Sequence, residues 1–274
     1  MNVQEFGTGT AHVVLAPGGP GLVPEFYREL VDALSDRYRV TVASFSGTYP
    51  EPVDSFPKTV AEAADELEGV IRERSRPDRP TVLLGHSYGG AVAIETLLGH
   101  VPVAGAILIS SFPSGAFLAR GIGERVAALP DAFHRRLEEG AADDAKSLAA
   151  LIAEYWFPRH LCTTGFPDSF QTGLQNLNPK FMNHVVGPNL LHPSGRILEW
   201  NRESDLTEIT PPVLVLGGTE DYFPPEAVRS VFAQLANARF VFPAGASHSA
   251  WIENPGATMA AIDRFMEESV IHDT

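Results

Sequence analysis

Apolar and polar positions follow two rhythms along this chain. Val13-Val14-Leu15 form a short apolar run, and residues 24–36 place Tyr27, Leu30, Val31 and Leu34 on one helical face. Val40 and Val42 alternate with polar neighbours, as in a strand. Over 59–72, Val60, Ala63, Ala64, Leu67, Val70 and Ile71 recur at intervals of three and four, which predicts an amphipathic helix. Residues 81–84 predict a buried strand, 89–99 a helix opening on small residues, and 104–109 another strand. The same rhythm resumes at 213–216, with a helix near 225–236, a strand over 239–242 and a last helix near 257–268. Strands alternating with helices predict a mostly parallel, doubly wound sheet covered on both faces. Residues 113–206 differ: they are helical in pattern at 122–138 and 144–155, then rich in Pro, Asn and aromatics, with no convincing strand. They read as a helical cap inserted into a core of 1–112 and 207–274, above the strands' C-terminal edge, where ligands bind in such sheets.

Composition narrows the field. The chain has 274 residues, 44% of them apolar, enough for one large core. Its net charge of −14 disfavours binding to nucleic-acid phosphates or an anionic membrane surface. A lone cysteine, Cys162, excludes an internal disulfide, and residues 1–10 hold no apolar stretch of the kind a secretory leader needs. A reducing, cytoplasmic setting is therefore expected. No apolar run approaches the roughly 20 residues that span a bilayer.

The candidate chemistry begins at Gly85-His86-Ser87-Tyr88-Gly89-Gly90, a G-x-S-x-G sequence placed after a buried strand and before a helix. That placement is what lifts a serine hydroxyl clear of a sheet, and glycines are needed where side chains would strike the neighbouring strand and helix. Ser87 is thus the expected nucleophile. His86, beside it on the turn, reads as a packing residue. A serine hydroxyl needs a base, and nine histidines are available. His248 lies in Gly245-Ala246-Ser247-His248-Ser249, straight after a strand, and completes the chain order serine, acid, histidine. His134, His160, His184 and His192 fall in the cap, and His272 in the tail. For the acid, Glu220 and Asp221 both follow the 213–216 strand; Asp221 is preferred because its loop, Asp221-Tyr222-Phe223-Pro224-Pro225, leads directly into the next helix. Backbone N–H groups of Tyr88 and of Gly19, in Pro17-Gly18-Gly19-Pro20-Gly21, are the expected oxyanion donors, since Pro20 has none to offer. That glycine loop lacks the following Lys-Ser/Thr of a phosphate loop, and no His, Cys and carboxylate cluster has metal-ligand spacing.

Taken together, PGGPG, GHSYGG, GGTEDYFPP and GASHSAWIENP resemble the α/β-hydrolase superfamily, and more narrowly the proline iminopeptidase family. The likeness extends into the cap through His160-Leu161-Cys162, Leu177-Asn178-Pro179, Gly187-Pro188-Asn189 and Glu199-Trp200-Asn201-Arg202. It implies an α/β-hydrolase fold, an acyl-enzyme route, no cofactor, and a small molecule or short peptide as substrate. It also implies departures. Pro17 replaces the histidine that usually opens the first loop, and Ser44-Phe45-Ser46-Gly47-Thr48 replaces the family's turn after the third strand. Leu190 and Tyr222 stand where the family carries glutamates that hold a substrate's α-ammonium. Leu190, Tyr222, Trp156 and Glu199 are the expected substrate-binding residues.

The leading expectation is a serine hydrolase of small amides or esters with altered amine recognition. A second reading keeps an active aminopeptidase whose amine is held by other cap acids: Glu154, Asp168, Glu199 or Glu203. A third keeps only a non-catalytic or lyase-like binding pocket. Epoxide hydrolases and dehalogenases are disfavoured because they need a carboxylate at Ser87.

Overall fold

In the computed structural model, which describes residues 1–141 and 144–271, seven strands form one sheet in the order β1-β3-β2-β4-β5-β6-β7. The strands are β1 (Asn2–Phe6), β2 (His12–Ala16), β3 (Arg39–Ser44), β4 (Thr81–His86), β5 (Gly105–Ile109), β6 (Val213–Leu216) and β7 (Ala238–Val241). Every neighbouring pair is parallel except β1, which lies antiparallel along β3. The doubly wound sheet anticipated from the sequence is present. The edge strand β1 was not anticipated: Asn2–Phe6 is half exposed and too polar to signal itself.

Period-two alternation sorts the central strands between two cores. Val14, Leu83, Leu108 and Val215 face one side, packed by Ala63, Leu67 and Ile71 of helix α2 (Val60–Arg74) and by Ala93 and Leu97 of α3 (Tyr88–Leu98). Val13, Leu15, Leu84, Ile107 and Leu214 face the other, packed by Leu30 and Leu34 of α1 (Arg28–Ser35) and by Ile262 and Phe265 of the last long helix. Strands buried on both faces explain the short, wholly apolar runs of the sequence. Helix α2 begins where Thr59 Oγ1 accepts the Glu62 N–H at 3.1 Å, a side-chain cap.

Between β5 and β6, the described residues form helices and loops, with an isolated antiparallel bridge between Ser114 and Asn201. The helices are α4 (Gly115–Ala127), α5 (Asp131–Arg136), α6 (Ala145–Leu151), α7 (Asp168–Gln175) and α8 (Pro179–Val185). The single helix expected over 122–138 is two, because Pro130 cannot donate to the turn before it and starts a new helix instead. The helix expected to end at 155 runs on through a wide π-type stretch, Ile152–Leu161, that accommodates Pro158. After β6 come α9 (Pro225–Phe232), α10 (Ala250–Glu253) and α11 (Pro255–Met266). No helix among the described residues is long and apolar enough to cross a membrane. His272 lies outside the described residues.

Candidate active site

Ser87 sits between the last residue of β4 and the first of α3, with φ 52° and ψ −119°. A positive φ is unfavourable for a residue with a Cβ. Surrounding contacts impose it. The Ser87 N–H donates to the Ile109 carbonyl at 2.9 Å, and the Ser87 carbonyl accepts the Gly90 N–H at 2.9 Å. A Cβ on Gly89 would overlap the Ala16 carbonyl, and one on Gly90 would overlap Ser111. These glycines let β2, β4 and α3 close around the turn.

The other two predicted residues arrive from neighbouring strand ends. Asp221 follows β6 and His248 follows β7, and both side chains are almost wholly buried. His248 Nδ1 lies 2.7 Å from Asp221 Oδ1. Asp221 Oδ1 also accepts the Tyr222 N–H at 2.6 Å, which fixes the carboxylate's rotamer. A carboxylate accepts, so Nδ1 carries the proton and the neutral ring's lone pair is on Nε2. Glu220 is exposed, and its carboxylate accepts the Thr219 hydroxyl at 3.4 Å. Between the two candidate acids, it is Asp221 that meets His248. Ser87 and His248 line one cavity; among the described residues no hydrogen bond joins the Ser87 hydroxyl to the imidazole. Such contacts commonly tighten only with substrate bound.

His86 is buried and does not face Ser87 as a base. Its Nε2 lies 3.1 Å from the His248 carbonyl, and its Nδ1 lies 2.8 Å from the Tyr27 hydroxyl. The carbonyl can only accept, so Nε2 donates to it, and Nδ1 must accept from Tyr27. The Tyr27 oxygen in turn accepts the Gly18 N–H at 2.5 Å. Burial holds the His86 imidazole well below its ordinary pKa and pushes the Tyr27 phenol up, so both stay neutral. This chain of bonds ties the glycine loop to the His248 loop. Gly18 passes so close to His86 and Ser87 that any Cβ would collide with them. Gly19 and Tyr88 border the same cavity as Ser87. Among the described residues, neither backbone N–H donates within the protein.

The cavity measures about 150 Å³. Leu118, Phe157, Leu161, Met182 and Leu190 line it from the insertion, Phe26 and Phe112 from the sheet side. Among the described residues, no Asp, Glu, Lys or Arg borders it. Tyr222 lines the cavity too, and its ring stacks on His248 at 3.9 Å and 13°. Two expectations need correction. Trp156 does not line the cavity: it is wholly buried behind Tyr222, at 5.1 Å, and its neighbour Phe157 faces the space instead. Glu199 is exposed on a short turn outside the cavity and pairs with Arg196 at 2.8 Å. The other cap acids are likewise engaged elsewhere or solvated. Glu154 pairs with Arg136, Glu203 accepts the Ser114 hydroxyl, and Asp168 is exposed. Among the described residues, no group of three or more His, Cys, Asp or Glu side chains could hold a metal ion.

Comparison with known proteins bears on the fold and the family. A proline iminopeptidase of Chitinophaga pinensis is 25% identical over 194 residues, covering 68% of this chain and 65% of that relative's length. The crystal structure of a Mycobacterium smegmatis proline iminopeptidase superposes with a TM-score of 0.86 at 21% identity, covering 99% of this chain and 96% of the other. A thermophilic esterase of Thermogutta terrifontis superposes at 0.71 and 22% identity, covering 98% and 93%. At these structural identities the likeness is one of fold. The model of the alpha/beta hydrolase family matches residues 13–262, and the chain belongs to that family.

Proposed function

We propose that this α/β-hydrolase, related to the proline iminopeptidases, is a serine hydrolase that cleaves amides or esters of small molecules or short peptides carrying a neutral, apolar acyl group. The observation that carries the reading is the Asp221–His248 hydrogen bond at the rim of the cavity that Ser87 also lines. In this reading His248 Nε2 takes the proton from Ser87 Oγ as the oxygen attacks the substrate carbonyl. Asp221 holds the tautomer and stabilises the imidazolium that forms. The Gly19 and Tyr88 N–H groups, without an acceptor among the described residues, receive the developing oxyanion, and the positive end of α3 points the same way. The C–O or C–N bond then breaks, His248 gives its proton to the leaving group, and water releases the acyl group by the reverse steps.

The neutrality of the acyl group follows from the cavity wall. An ammonium buried against Leu190 and Tyr222 would lose its water and gain no carboxylate. A lost charge-assisted contact is worth roughly 1.5–3 kcal/mol, or one to two decades in kcat/KM. The surface charge of −14 attracts cations, but salt screens that field beyond about 8–10 Å, whereas the wall acts at contact. N-acetyl-prolyl or N-acetyl-alanyl arylamide should therefore be cleaved at least as well as the free-amine form. A strong preference for the free amine, abolished by neutralising Glu203 or another insertion acid, would restore the aminopeptidase reading.

A further inference from the structure

The 113–206 insertion reaches the two loops that carry Asp221 and His248 through four hydrogen bonds. Arg125, on α4, donates from Nε to the Asp221 carbonyl at 2.8 Å and from Nη2 to the Thr219 carbonyl at 3.2 Å. His160 Nδ1 lies 3.0 Å from the Glu220 carbonyl, which can only accept, so this nitrogen is the donor. The His248 N–H donates to the His160 carbonyl at 3.1 Å. Three consecutive carbonyls of the acid loop, 219, 220 and 221, thus end on side chains of the insertion. That loop lies between β6 and α9 and has no ladder or helix to satisfy its carbonyls, so its shape depends on outside donors. A guanidinium spans two of them with its planar fork, which an ammonium cannot reproduce. Arg125 has no carboxylate partner among the described ion pairs, so its hydrogen bonds to the loop are not shared with a competing acid. Burial lowers the His160 pKa below its ordinary value, the bond to the Glu220 carbonyl raising it in part and the nearby Arg125 charge lowering it further.

We propose that Arg125 and His160 are positioning residues: the insertion, through them, holds the acid loop in the shape that brings Asp221 to His248. The proposal rests on the reading of Ser87, His248 and Asp221 as the reacting groups. It makes the insertion part of the scaffold of the reacting groups, and not only the roof over the substrate. A roof residue acts on the substrate and its effect depends on the acyl group. A residue that shapes the acid loop acts on the base and its effect is the same for every substrate.

The experiment compares Arg125→Met, Arg125→Lys, Arg125→Ala and His160→Leu with the unaltered protein on p-nitrophenyl acetate and p-nitrophenyl octanoate. Fluorophosphonate labelling of the unaltered protein is measured first. Arg125→Met should lower kcat by about tenfold to a hundredfold, by the same factor on both esters, with KM little changed. His160→Leu should act in the same sense, and Arg125→Lys should fall between. Guanidinium at millimolar concentration should restore part of the kcat of Arg125→Ala, which a general loss of folded protein would not allow. A loss confined to the octanoate, a rise in KM alone, or unchanged kcat in Arg125→Met would overturn the proposal. If Arg125→Met does not fold, the lysine variant and the guanidinium response decide, and absence of both effects overturns it. Absence of labelling in the unaltered protein would instead remove the reading beneath the proposal.

Discussion

Ser87 holds a backbone conformation that costs a side-chain-bearing residue on the order of 1–3 kcal/mol, and it does so among glycines and strand ends that leave no alternative. Asp221 is equally constrained, since one carboxylate oxygen meets both the imidazole and the Tyr222 N–H. Asp221→Asn should therefore cost roughly 10⁴ in kcat by analogy with the same change in a serine protease, through the wrong tautomer, while Glu220→Gln should change little. Steady-state kinetics on any cleaved ester decides; the reverse ranking would move the orienting role to Glu220. Ser87, His248 and Asp221 were legible because each follows a strand end in a short, motif-rich loop. Trp156 and Glu199 were misplaced because which face of a helix or turn meets a cavity depends on packing that spacing does not encode. Trp156 backs Tyr222 while Phe157, one residue on, faces the space. The roles of Arg125 and of the Tyr27 hydroxyl went unread because their partners are backbone carbonyls and a histidine distant in sequence.

At the scale of elements, the sheet is built around the turn. Gly89 lies where α3 crosses the end of β2, so tightly that a Cβ would strike the Ala16 and Pro17 carbonyls. Backbone cannot yield as a flexible side chain can. Gly89→Ala should destabilise the fold by about 1–3 kcal/mol, seen as a lower Tm, and should displace the glycine loop that carries Gly19. An unchanged Tm would show that β2 and α3 can separate without strain. The amphipathic α2 and the apolar β2, β4, β5 and β6 were readable because each buries a regular stripe or run. The antiparallel β1 was not, since an edge strand with half-exposed, mixed residues carries no period. The π-type stretch over Ile152–Leu161 was also hidden: Pro158 signals an end of helix, and only tertiary packing of Trp156 and His160 explains its continuation.

Across the whole molecule, the ends of the parallel strands β4, β6 and β7 deliver Ser87, Asp221 and His248 to one edge of the sheet, and the insertion closes an apolar space above them. The Gly18–Tyr27–His86–His248 chain joins the loops from below, and Arg125 and His160 join them from above. The acidic surface lies outside this arrangement and bears on solubility and approach more than on the chemistry. The measurement that bears most directly on the account is the intact mass of the protein after exposure to an alkyl fluorophosphonate, taken for the unaltered chain and for Ser87→Ala. The account predicts one adduct per chain, mapped to Ser87, with labelling and ester turnover both lost in Ser87→Ala. Labelling that persists in Ser87→Ala, or an unaltered chain that takes no adduct, would contradict it.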